Sequence, residues 1–72
     1  MLMKKDFGTR LKEMLKKKKI SQNKYAALIG VSNTCVSYWI TGKRQPSAEN
    51  IIMTAQYFGV TTDYILGVSD EM

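Results

Sequence analysis

Apolar positions recur at helical spacing in five short blocks, each followed by a residue that breaks the pattern. Phe7, Leu11, Met14 and Leu15 stand at i, i+4, i+7 and i+8, which predicts an amphipathic helix over about Asp6–Lys18. Asp6 suits the positive end of that helix's dipole and Lys16–Lys19 the negative end, so the lysine run has a structural role before any functional one. Ile20 then turns inward. Ser21 is a good N-cap for a second helix, Gln22–Ile29, with Tyr25, Leu28 and Ile29 facing the core. Ser32 caps a third, Asn33–Thr41, which buries Val36, Trp39 and Ile40 and ends at Gly42. Ser47, helped by Glu49, opens a fourth whose stripe is Ile51, Ile52, Ala55 and Phe58, and Gly59 stops it. Thr61 or Thr62 caps a short fifth helix, Asp63–Leu66, closed by Gly67, and the last five residues read as a frayed tail. No segment alternates with a period of two. The pattern therefore predicts an all-α, five-helix single domain spanning residues 1–72, with an ordered core of about 6–67.

The corner Gly30-Val31-Ser32 between the second and third helices is the most informative place in the chain. Gly30 supplies a left-handed turn, Val31 plugs the corner, and Ala26 leaves room for two helix axes to approach. The outward side of the third helix is Asn33, Thr34, Ser37, Tyr38 and Thr41, polar or amphipathic throughout. A tight turn with these properties suits a helix-turn-helix, the motif that sets its second helix in a DNA major groove. Trp39 shares a face with Val36 and is read as core, not as a base-stacking platform. Cys35 reads as a small packing residue, and Met14 and Met53 as gap fillers.

Composition narrows the alternatives. At 72 residues the chain is one small domain, of a size that buries roughly 60% of its unfolded surface. One cysteine excludes an internal disulfide, and with no histidine there is no Cys/His metal site. No cofactor and no small-molecule ligand is implied. An enzyme is not expected, because histidine, a phosphate-cradling glycine loop and a nucleophile–base pair are all missing. No apolar run approaches the roughly 20 residues that cross a bilayer, and MLMKK lacks a signal-peptide core. The expectation is a soluble cytoplasmic protein without membrane attachment, since the stripe of the basic first helix is needed for the core. Net charge is +5, and it is polarised. The front two-thirds are basic, whereas residues 49–72 hold four acids and no base. Basic surface of this kind concentrates a polyanion and speeds encounter with it.

The anchors F-G-x-R-L-K-E (from Phe7), S-Q (from Ser21), Ala26, G-V-S (from Gly30), Val36, Trp39, G-K-R-x-P-S-x-E-N (from Gly42) and G-V-x-x-D-Y-I-L-G (from Gly59) fall in register over sixty residues. In these the chain resembles the Cro/repressor-type, or XRE, helix-turn-helix family of phage and bacterial regulators, from about Phe7 to Gly67. The resemblance implies a compact five-helix lambda-repressor-like domain that binds double-stranded DNA, a transcriptional repressor encoded by a bacterium or phage. It implies base reading by Asn33, Thr34, Ser37 and Tyr38, and phosphate contacts from Ser21, Gln22, Thr41, Lys43 and Arg44. The family commonly meets palindromic operators as homodimers. An apolar patch of Met53, Tyr57, Val60, Tyr64 and Val68 is the candidate dimer interface. The alternative is a protein-interaction module of the same fold, the antitoxin or antirepressor half of a complex. Three departures stand out. Many relatives bury an Arg–Glu pair where this chain has Leu15 and Ile40, so these two are expected to touch. Lys19 stands where glycine is frequent, and a left-handed lysine costs on the order of 1 kcal/mol. No sensor domain follows the fifth helix, so neither inducer binding nor self-cleavage is expected of these residues.

Overall fold

The computed structural model describes residues 6–68 and contains five helices, α1 (Phe7–Lys18), α2 (Gln22–Ile29), α3 (Asn33–Thr41), α4 (Ala48–Phe58) and α5 (Thr62–Leu66). Helices of 5 to 12 residues are too short to persist alone, so their ends must be secured. Each begins at a side-chain oxygen that accepts from the third backbone N–H of its helix. The caps are Asp6 (2.8 Å), Ser21 (3.0 Å), Ser32 (3.0 Å), Ser47 (3.2 Å) and Thr61 (3.0 Å). The first and last helices differ by one residue from the expected starts: Asp6 is a cap, not the first helical residue, and of the two threonines Thr61 caps and Thr62 is helical. As a cap, the Asp6 carboxylate is held below its ordinary pKa by the Thr9 N–H.

Each helix ends in the left-handed region, at Lys19, Gly30, Gly42, Gly59 and Gly67. Four of these ends share one device. The residue after the left-handed one donates its N–H back to the final turn at 3.0 Å, and that residue is apolar: Ile20, Val31, Val60 or Val68. Ile20, Val31 and Val60 then pack on the core. The α3 end is the exception, with Lys43 in that place. Lys19 adopts φ 58° and ψ 45° as the only non-glycine at positive φ among the described residues.

The main helix contacts run α1 to α3, α3 to α2, α2 to α4, α4 to α5 and α5 back to α1, a closed ring around one core. Leu11, Met14, Tyr25, Val36 and Ile65 are its innermost side chains. Phe7 meets Trp39 edge-on at 5.9 Å across α1 and α3, and Tyr25 stacks on Phe58 at 6.0 Å across α2 and α4. Leu15 lies in the core and Ile40 is half-buried against that core, so both residues of the apolar replacement turn inward. Cys35 and Met14 pack as expected.

Three expectations about the core are corrected. Leu28 and Ile52 are each 47% exposed, and Met53 is exposed and fills no gap. At about 100° per residue, Leu28 and Ile52 lie some 110° from the centres of their helices' buried faces, and Met53 lies on the far side of α4. Thr54, a polar residue, is fully buried on α4. Thr54 donates to the Asn50 carbonyl at 2.7 Å, which leaves its oxygen to accept from the Tyr25 hydroxyl. Arg10, only 3% exposed, was also not foreseen as buried; its guanidinium lies 4.0 Å from the Tyr64 ring centre, joining α1 to α5.

Gly8 sets the distance between α1 and α3. A Cβ there would stand 2.7 Å from the Ile40 carbonyl oxygen and closer still to that of Trp39. On an open helix face Gly8→Ala would stabilise by up to about 1 kcal/mol. Here the added methyl meets backbone, and we expect a loss of about 1–3 kcal/mol, seen as a lower urea midpoint at unchanged slope. A second expectation concerns alkaline pH. Burial pushes the Tyr25 phenol up to about 12. A raised pKa in the folded state means stability that is complete below the unfolded value near 10 and is lost as pH climbs towards 12. Urea midpoints should fall across that window, and Tyr25→Phe should remove this part of the fall.

Candidate nucleic-acid interface

The interface is built on α2 and α3. Gly30, at φ 87°, reverses the chain, and the Val31 N–H closes the corner on the Ala26 carbonyl at 3.0 Å. Ala26 is buried at the crossing, where a larger side chain would part the helices. With Val36 and Trp39 held inside, the opposite side of α3 faces outward. Asn33, Thr34 and Thr41 are exposed, and Ser37 and Tyr38 half-buried.

Gln22 ties the two helices together at their outer edge. Its carboxamide nitrogen donates to the Ser37 hydroxyl at 2.7 Å and to Asn33, at 3.0 Å to Oδ1 and 3.3 Å to the carbonyl. The residue expected at a phosphate thus also orients two of the expected base readers. With its Oδ1 engaged, Asn33 is presented with its amide donor as the remaining group. Ser21 and Thr41 use their hydroxyls internally as well. Ser21 caps α2, and Thr41 donates back to the carbonyls of Ser37 (3.0 Å) and Tyr38 (3.4 Å).

The far end of α3 is cationic. Lys43 Nζ lies 5.7 Å and the Arg44 guanidinium 5.5 Å from the centre of the Tyr38 ring, and the Arg44 N–H donates to the Tyr38 carbonyl at 3.3 Å. Thr34 is exposed on the N-terminal turn of α3. No acidic residue occurs between Glu13 and Glu49, so the whole of α2, the turn and α3 carry no side-chain negative charge. Among the described residues no cluster of three or more His, Cys, Asp or Glu side chains gathers that could hold a metal ion, and no helix is long and apolar enough to cross a membrane.

The proposed dimer patch is only partly assembled. Met53, Tyr57 and Val68 are exposed, but Val60 is half-buried against the core and Tyr64, at 7% exposure, lies beneath Arg10. Tyr64 therefore belongs to the fold and has little surface to offer a partner. Leu28 and Ile52 are exposed apolar residues that the sequence pattern assigned to the interior. Arg10 did leave a signal, since it sits at i+3 from Phe7 and i−4 from Met14, within the apolar stripe.

This architecture, two helices joined by a tight left-handed turn within a five-helix domain, defines a helix-turn-helix fold. The helix-turn-helix family profile matches residues 11–65, and the chain belongs to that family, in its Cro/repressor (XRE) branch. It is 32% identical over 59 residues to repressor protein C2 of Salmonella phage P22, and 31% identical over 61 residues to the HTH-type transcriptional activator BcrR of Enterococcus faecalis. These stretches are 82% and 85% of this chain but 27% and 30% of those proteins, so the chain spans less than a third of the length of either. Among solved structures, the P22 c2 repressor in complex with synthetic operator 9T superimposes with a TM-score of 0.82 at 29% identity, over 90% of this chain and 98% of that one.

The Gln22 bridge makes a prediction for the free protein. Gln22→Ala removes hydrogen bonds at the surface and should cost about 0.5–1 kcal/mol. For a domain of this size that lowers Tm by a few degrees in a calorimetric scan.

Proposed function

We propose that this chain is a sequence-specific double-stranded DNA-binding transcriptional regulator, a repressor acting in the bacterial cytoplasm. The observation that carries this reading is the acid-free outer face of α2 and α3, with polar readers along its middle and cations at its end. Its likeness to a repressor domain solved on an operator supports it further. In this reading α3 enters the major groove. Asn33 donates to a base edge, Thr34 sets its methyl against a thymine methyl, and Ser37 and Tyr38 complete the contact. Ser21, Gln22 and Thr41 approach the phosphates alongside Lys43 and Arg44, with the positive end of α2 adding to the attraction. Phosphate contacts supply affinity and register, and the base contacts supply choice of sequence.

We further propose that the chain binds a palindromic operator as a homodimer through Met53, Tyr57 and Val68, with Val60 at the edge of the contact. Their exposure and their position on α4 and after α5, outside the helix-turn-helix, support this arrangement. Two protomers then fill half-sites about 34–36 Å apart.

Footprinting on the DNA flanking its own gene tests the reading, with two protected half-sites one helical turn apart as the expected result. Asn33→Ala should lose about 1–3 kcal/mol of discrimination at one base pair. Lys43→Ala should weaken all sequences alike and lower the salt slope by about 1. Unchanged binding by both variants would remove α3 from the interface.

A further inference from the structure

Four of the five helices are closed by an apolar residue directly after the left-handed one, and α3 alone is closed by a cation. What stands in for the missing apolar lock is the Tyr38 ring, with Lys43 Nζ at 5.7 Å and the Arg44 guanidinium at 5.5 Å from its centre. Both distances lie within the range in which an aromatic face attracts a cation. The Arg44 N–H to Tyr38 carbonyl bond and the Thr41 hydroxyl fasten the same turn, so ring and loop form one unit. We propose that Tyr38 is a positioning residue for phosphate binding: its ring holds Lys43 and Arg44 in place before DNA arrives, in addition to any base it touches. This rests on the DNA-binding reading above and deepens it.

The physical reason is conformational. Free lysine and arginine side chains lose rotamer freedom when they clamp a phosphate. Held against a ring, they have lost part of it already, while both residues remain exposed. A ring with this role contributes to binding any duplex, because phosphates are the same at every sequence. A residue that only reads bases contributes nothing on random sequence.

The test is therefore binding to a random-sequence duplex as a function of salt, with Tyr38→Leu, Tyr38→Phe, the double variant Lys43→Gln/Arg44→Gln and the corresponding triple variant. Tyr38→Leu should weaken random-duplex binding about three- to tenfold at low salt and lower the salt slope by about 1, approaching the double variant. Tyr38→Phe should match the wild type, and Tyr38→Leu should add no further loss in the double background. In the free protein, proton NMR should show the Arg44 δ-methylene shifted upfield by the ring current in the wild type and Tyr38→Phe, and not in Tyr38→Leu. The NMR arm requires only a folded chain, which the same spectra report. Equal salt slopes for wild type and Tyr38→Leu, with a reduced slope for the double variant, would overturn the inference and leave DNA binding standing. No binding of any duplex by the wild type would overturn the DNA reading itself.

Discussion

The backbone contact at Gly8 is the constraint on which the rest of the structure depends. It brings the first turn of α1 against the carbonyls of Trp39 and Ile40, so the outward helix is held from behind, by main chain, at its C-terminal end. Side chains yield by changing rotamer, but carbonyl oxygens in a helix do not. Once that distance is set, Phe7 reaches Trp39, and Leu11 and Leu15 lie buried in the core. An Arg–Glu pair at positions 15 and 40 would need hydrogen bonds to offset its desolvation, whereas two aliphatic side chains need only fit. The polar face of α3 is thus displayed at an angle chosen on the opposite side of the helix.

Stability in so small a domain is distributed over ends as much as over the core. Each helix offers four unpaired N–H groups and four unpaired carbonyls, a large fraction of its backbone when it has 5 to 12 residues. Five side-chain caps and five left-handed closures answer this. The αL lysine at 19 shows that the closure matters more than the comfort of the residue making it. Where α3 ends, Lys43 and Arg44 stand in place of the apolar closure, and the centre of the Tyr38 ring lies 5.7 and 5.5 Å from their charged groups.

Much of this was legible in the chain. Ser21, Ser32, Ser47 and the glycines at 30, 42, 59 and 67 marked the helix limits to within a residue, because caps act locally and depend on single side chains. The all-α fold class and the outward polar face of α3 followed from periodicity. The errors have a common cause. Leu28 and Ile52 lie at the flanks of their stripes, where hydrophobicity says inside and geometry says outside; Thr54 and Arg10 are the converse, polar residues at buried angles. A periodicity scan weighted by residue type misplaces all four. The hydrogen bonds of Gln22 to Asn33 and Ser37 were also beyond reach, since they join residues 11 and 15 apart whose distance depends on the helix crossing. Tyr64 was misread for the same reason, because its cover comes from α1 at the other end of the chain.

The closed ring of helices has a consequence in time. The α1 to α5 contact that completes it joins Arg10 to Tyr64, so of these five helices α1 waits for α5. On a ribosome that adds about 5–20 residues per second, α1 leaves the exit tunnel with its apolar stripe uncovered, and α3 follows before the seal for either is available. For those few seconds the nascent chain is a lysine-rich amphipathic segment without its fold. Only when Ile65 emerges can the ring shut around the α1–α3 contact.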